Sequence, residues 1–119
     1  MPMTTMLSHL SGAPLIVTRG DIDHDSCADI DQTLTGLIDQ GSPIVFIDLS
    51  EVDYIDSGGL SVLFSAGRRV RDAGWIGLLS PNASVRRLLE IVGALADPAF
   101  RVFDDQATAL AALSAGTSA

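Results

Sequence analysis

The sequence has 119 residues, enough for one domain with a single core and too few for a second. It is 47% hydrophobic, only 5% aromatic, and carries a net charge of −8, which predicts an aliphatic core and argues against nucleic acid as a direct partner. No apolar run approaches the roughly 18 residues of a membrane span, and Met1 to Leu7 lack the basic start and apolar core of a signal peptide, so a cytoplasmic chain without membrane insertion is expected.

Residues around Met6 to Leu10 read as an edge strand followed by a Ser11-Gly12 turn. Pro14 opens a clearer strand, Leu15 to Thr18, which ends at Gly20 and the acidic loop D-I-D-H-D. Ser26 is placed to cap a first helix, whose Ile30, Leu34, Leu37 and Ile38 make one apolar stripe before Gly41 stops it. Pro43 to Leu49 is apolar without alternation, the pattern of a strand buried on both faces at the centre of a sheet. After the loop S-E-V-D-Y-I-D-S-G-G, a second helix places Leu60, Leu63, Phe64, Gly67 and Val70 on one face and Ser61, Ser65, Arg68 and Asp72 on the other. Gly74 ends it, and Trp75 to Leu79 is the next strand. Asn82 caps a third helix with Val85, Leu88, Leu89 and Val92 turned inward and Gly93 as its stop. A short strand near Phe100 to Phe103 precedes a last helix, opened by Asp104 or Asp105, with Ala107, Leu110 and Ala111 as its apolar residues. The tail 114–119, S-A-G-T-S-A, is too small and polar to pack and is expected to be disordered, which puts the core at about residues 6–113.

The order β-β-α-β-α-β-α-β-α predicts a single α/β domain over residues 1–119. Its mostly parallel sheet of four to five strands would be flanked by about four helices.

Charge is unevenly placed along this order. Between Asp21 and Asp56 lie ten acids (Asp21, Asp23, Asp25, Asp29, Asp31, Asp39, Asp48, Glu51, Asp53, Asp56) and no Lys or Arg. All seven cations are Arg. The absence of Lys removes Walker-type phosphate loops, Schiff-base chemistry and the lysine-assisted phosphoaspartate receiver, so Asp48 reads as a strand-end acid bonding loop amides. Cys27 has no second Cys for a disulfide, and with His9 and His24 it gives no metal spacing, so no metal or cofactor is expected and Cys27 reads as a half-buried helix residue.

The chemistry concentrates at Asp56-Ser57-Gly58-Gly59, where the chain enters the second helix. Asp56 or Ser57 can cap that helix. Two glycines at a helix start cost stability, so something is expected to need the space they leave; they would strip side chains from the surface beside Ser57 and let another protein's backbone approach. The carboxyl ends of parallel strands are where partners usually meet such sheets. A phosphate on Ser57 would be tolerated at a helix N-terminus and would add about −1.5 to −2 charge beside Asp56 and Asp53. Ser57 therefore reads as a phospho-acceptor. The expected partner surface is this loop plus an outer helix face, with Ser61, Ser65 and Arg69 around an exposed Val62.

The run D-L-S-E-V-D-Y-I-D-S-G-G-L, Asp48 to Leu60, resembles the signature of STAS domains, in particular bacterial anti-anti-sigma factors (anti-sigma factor antagonists). G-D-I-D at Gly20 to Asp23, N-A-S-V-R-R-L-L-E-I-V-G at Asn82 to Gly93 and F-D-D-Q-A-T-A-L at Phe103 to Leu110 are similar to further family segments in one register. The resemblance implies that Ser57 is phosphorylated by an anti-sigma factor that is also an ATP-dependent serine kinase. The unphosphorylated form would bind that factor and free a sigma factor, and a phosphatase would reset the switch. It also implies that Asp23 lies close to Ser57, and that ATP and the catalytic base belong to the partner, so the chain itself is no enzyme. Many members carry Ser or Thr where this chain has Gly58.

Two other readings compete. Ser57, His24 and an Asp would make a hydrolase triad if their loops adjoined, but Ile55 breaks the nucleophile-elbow pattern and His24 reads as a solvated loop residue. Within the resemblance, the alternative is a non-phosphorylated interaction module of a lipid-transport or stress-signalling complex.

Overall fold

A computed structural model describes residues 4–117 of the chain. Ser11 and Gly12 both take positive φ, 51° and 88°, giving a two-residue turn whose twist suits a hairpin. It folds β1 (Thr4–Leu10) back on β2 (Ala13–Arg19) in antiparallel register, with Leu10 opposite Ala13 and Thr4 opposite Arg19. The chain continues through α1 (Cys27–Asp39), β3 (Ile44–Glu51), α2 (Ser57–Val70), β4 (Trp75–Leu79), α3 (Ala83–Ile91), a 3-10 turn (Ala94–Ala96), β5 (Phe100–Phe103) and α4 (Gln106–Thr117). The strands lie in sequence order as one five-stranded sheet, antiparallel only between β1 and β2. The predicted α/β order therefore holds, and the unbroken apolar run of β3 takes the central position, with Val45, Phe46, Ile47 and Leu49 buried.

Strands added always in one direction by crossovers of one hand carry their helices onto one face. Side chains from α1, α2 and α3, including Ile30, Leu34, Leu63, Val70, Val85 and Leu89, pack there on Ile16, Val45, Ile47, Ile76 and Leu78. Helix α4 folds back over the opposite face, where Ala109 joins Leu10, Leu15, Phe46, Trp75, Leu79 and Phe103. The aliphatic expectation thus describes most of the larger face, where one aromatic pair, Phe64 and Phe100, meets edge-on with centroids 5.5 Å apart. On the smaller one the Phe46 ring meets Trp75 edge-on, with centroids 5.5 Å apart, and Phe103 at 6.2 Å.

Two expectations about helices, the disordered tail and the inward Val92, are corrected, and the inward side of α4 is settled. In α4, Ala107, Leu110 and Ala111 are exposed, while Ala109 is buried and Ala112 and Leu113 are half-buried. A run of Ala and Leu with no polar counter-face leaves helix rotation to the sheet it lands on. Asp105, not Asp104, receives the Thr108 N–H at 2.8 Å, and the helix runs through Thr117 because Ser and Ala do not stop one. The expected disordered tail thus does not begin at Ser114; Ser118 and Ala119 lie outside the described residues. In α3, Val92 is the C-cap and is 37% exposed, because Gly93, at φ 83°, turns the chain away before Val92 reaches the sheet.

Candidate functional site

The pairing of β2 with β3 does not stop where the strands end. Gly20 N–H donates to Glu51 O at 3.0 Å, Ile22 N–H to Tyr54 O at 2.9 Å, and Asp56 N–H to Ile22 O at 3.0 Å. These bonds lace the β2–α1 loop to the β3–α2 loop through a parallel bridge between Ile22 and Ile55, both buried. Apolar side chains at those two positions anchor otherwise polar loops in the core. Asn82 adds a third loop: its Oδ1 accepts from Val85 N–H as the expected cap, and its Nδ2 donates to Val52 O at 3.1 Å.

This lacing presents the start of α2. Asp56 is the N-cap: its backbone is extended, and its Oδ1 accepts from Gly59 N–H at 3.1 Å. Ser57 is the first helical residue and is exposed, so its N–H and that of Gly58 have no intrahelical acceptor. Ser61 shares that outer surface one turn on.

The space above the glycines is not left open. A Cβ on Gly59 would lie 2.6 Å from Ile22 Cγ2 and 2.9 Å from both Ile22 O and Ile55 Cγ2. Gly59 is buried, and its missing side chain admits the chain's own Ile22–Ile55 bridge rather than a partner's backbone. Gly59→Ala is accordingly expected to destabilise the fold by about 1–3 kcal/mol, through overpacking against a backbone oxygen. Urea unfolding measures it; an unchanged midpoint would mean that the space is free. A Cβ on Gly58 would lie 3.2 Å from Asp56 Oδ1 and 3.2 Å from Cγ and Nδ1 of His24.

His24 is therefore not a free loop residue. Its backbone N–H donates to Asp56 Oδ2 at 3.0 Å, and its ring Nδ1 lies 2.6 Å from the same oxygen, although the ring is 70% exposed. The hydrogen bond and charge of Asp56 raise the His24 pKa above its ordinary 6.5, with Asp25 and Asp23 adding to the shift. For Asp56, burial pushes the pKa up, but bonds from the His24 ring and from the Gly59 and His24 N–H groups outweigh it and hold the carboxyl below its ordinary value. His24 and Asp56 thus form the histidine–carboxylate half of the triad considered from sequence, with the ring bonded to Asp56 rather than to Ser57.

Asp23 lies in the adjoining loop, where it takes over the cap assigned to Ser26. Its Oδ1 accepts from Ser26 N–H at 3.0 Å and Asp25 N–H at 3.1 Å, and its carbonyl from Cys27 N–H at 2.8 Å, while Ser26 Oγ accepts in return from Asp23 N–H at 3.0 Å. Ser26 makes no side-chain cap bond because its Oγ is turned to the preceding loop. Asp48 lies inside β3, which runs on to Glu51, and it receives Ser50 N–H of that same strand at 2.8 Å, so it bonds a strand amide rather than a loop amide. Cys27 is half-buried at the start of α1.

The expected outer face of α2 divides. Ser61 is exposed and Ser65 half-buried, but Val62 packs against the core, and Arg69 donates to Asp39 at 2.6 Å and Thr35 at 3.1 Å on α1. Seven residues apart, Val62 and Arg69 share the side that α1 covers. No sequence signal told which neighbour would cover it. Tyr54, 55% exposed in the same loop as Ser57, was not singled out, and neither was the pairing of His24 with Asp56. Among the described residues no helix is long and apolar enough to cross a membrane, and no group of three or more His, Cys, Asp or Glu is arranged to hold a metal.

Residues 5–96 match the family model described as Mlab, STAS domain. The chain is 23% identical over 114 residues to the anti-sigma-F factor antagonist RsfB of Mycobacterium tuberculosis, covering 96% of this chain and 92% of RsfB. The crystal structure of an anti-sigma factor antagonist from Mycobacterium paratuberculosis is similar with a TM-score of 0.77 at 24% identity, covering 91% of this chain and 93% of that one. SpoIIAA of Bacillus in its phosphorylated form is similar with a TM-score of 0.66 at 20% identity, over 84% of this chain and 91% of that one. Its unphosphorylated form gives 0.64 at 21% identity, over 74% and 83%.

Proposed function

The chain belongs to the STAS domain family, and from that premise we propose that it is an anti-sigma factor antagonist switched by phosphorylation of Ser57. Unphosphorylated, it binds an anti-sigma factor with serine kinase activity, and a sigma factor is freed. The kinase supplies ATP and the base: Ser57 Oγ bonds to the γ-phosphorus, the bond to ADP breaks, and the hydroxyl proton passes to the partner. The phosphorylated form lets go, and a phosphatase restores it. Ser57, Asp56, Gly58 and Ser61 are the centre of the partner surface, with Asp23 beside them in the laced loop.

The placement of Ser57 carries this reading: it is exposed, first in α2, and next to a carboxylate already committed as a cap. A phosphate there gains from the helix N-terminus, so the domain stays folded, while about −1.5 to −2 charge is added to an acidic surface that a partner must cover. The names of RsfB and SpoIIAA support the role, and the phosphorylated form of SpoIIAA supports the modification.

Incubation with kinase-type anti-sigma factors and ATP is expected to raise the intact mass by one phosphate, and Ser57→Ala to abolish the increase. If factors that bind the chain never transfer phosphate to it, the switch is wrong and the non-phosphorylated interaction module stands in its place.

A further inference from the structure

The two loops at the Ser57 site, 20–26 and 52–56, carry five acids (Asp21, Asp23, Asp25, Asp53 and Asp56) and neither Lys nor Arg, and His24 is the one side chain in them able to carry positive charge. We infer that His24 is a positioning residue of the Ser57 site: its imidazole fills the space above Gly58, holds the Asp56 carboxylate, and as imidazolium offsets that negative charge beside the serine.

The inference rests on reading Ser57 as the phospho-acceptor and deepens it. Both the backbone N–H and the ring Nδ1 of His24 converge on Asp56 Oδ2, at 3.0 and 2.6 Å, so the ring is held against the first turn of α2 rather than swinging in solvent. A Cβ at position 58 would sit 3.2 Å from the ring's Cγ and Nδ1, which makes positions 24 and 58 a coupled pair. Glycine at 58 removes a hydroxyl from the surface and admits an imidazole in its place. The charged groups around the ring are Asp56 from the cap of α2 and Asp23 and Asp25 from its own loop, all of one sign. Their field favours the imidazolium, whose presence therefore extends above the ordinary histidine value and is lost as pH rises through the raised one. ATP is a polyanion, and its approach to Ser57 is easier while that cation is present.

The first measurement uses the free chain: an NMR titration of the His24 imidazole. Its midpoint is expected to fall in Asp56→Asn, which removes the charge, and in Gly58→Ser, which displaces the ring. A midpoint unmoved by both overturns the geometry. The second compares phosphoryl transfer from ATP, through a kinase-type anti-sigma factor, to wild type and His24→Asn, whose Nδ2 keeps the hydrogen bond to Asp56 without the charge. The rate ratio is expected to be about fivefold near pH 6 and to approach one by about pH 8.5. Taking the ratio at each pH cancels the kinase's own pH dependence. A ratio independent of pH overturns the charge role. A dissociation constant for the same factor gives the same comparison without phosphate transfer. If neither transfer nor binding occurs while the titration behaves as expected, the anti-sigma reading has failed and the His24–Asp56–Gly58 arrangement has not.

Discussion

Ser57→Asp is expected to bind the partner anti-sigma factor at least about 100-fold more weakly than wild type, whereas Ser57→Ala binds within about threefold. The Asp side chain is placed as the first residue of α2, where a negative charge is favourable to the helix, so the loss is not one of folding. It arises at the interface. A new carboxylate beside Asp56 must be covered by a surface shaped for a neutral hydroxyl, and an uncompensated like charge there costs several kcal/mol, with each 1.4 kcal/mol worth about tenfold. Titration calorimetry of both variants against the same factor reads the difference directly, with circular dichroism as the control for folding. Equal dissociation constants for Ser57→Asp and wild type would sink the charge switch, even if phosphate transfer to Ser57 were observed.

Phe46→Ala has the largest expected effect on stability, about 3–5 kcal/mol. Phe46 is fully buried on the central strand, wedged between Trp75 and Phe103 on the face that α4 covers. The neighbouring strand makes room for it with Gly77, where a Cβ would come within 2.5 Å of the Phe46 ring. Removing the ring leaves a cavity that two other aromatics, each held by its own strand, do not close. Against a total of about 5–15 kcal/mol, that is enough to unfold a marginal domain at moderate temperature. Denaturant unfolding measures it. Leu110→Ala, an exposed change on the same side of the molecule, is the control and should shift stability by less than about 0.5 kcal/mol. Equal effects from the two would mean that the aromatic cluster is not a packing centre.

Much of this architecture was legible because its signals are local. A strand buried on both faces is a short continuous apolar run, so the central strand at Ile44–Glu51 and its neighbour Trp75–Leu79 stood out, while the edge strand Phe100–Phe103 showed as a shorter run broken by the exposed Arg101. Caps and stops are equally local, as Asn82, Asp56 and Gly93 illustrate. What was not legible depended on which distant surface arrives. Arg69 looks like a free cation until α1 lies alongside it, and Val62 looks exposed for the same reason. Ala107, Leu110 and Ala111 are apolar yet exposed, because an Ala-rich helix offers no polar face to say which of its sides turns inward. At the site, the paired glycines announced a missing volume but not what fills it. Ile22 fills one space and His24 the other, and both come from a loop more than thirty residues earlier in the chain. Likewise Asp23 and Ser26 were each read alone, while the capping bonds they exchange depend on loop geometry.

The Ile22–Ile55 bridge bears on how a message written at Ser57 can travel. Loops tied to each other by backbone bonds and anchored in the core have little freedom to swing when one side chain changes. Such a site is a printed label and not a lever. On the proposed switch, a phosphate at Ser57 would be read where it stands, by direct touch, rather than through a relay across the sheet to a second surface. Recognition can then be retuned by exchanging a few side chains on the label, while the scaffold that displays it is left alone.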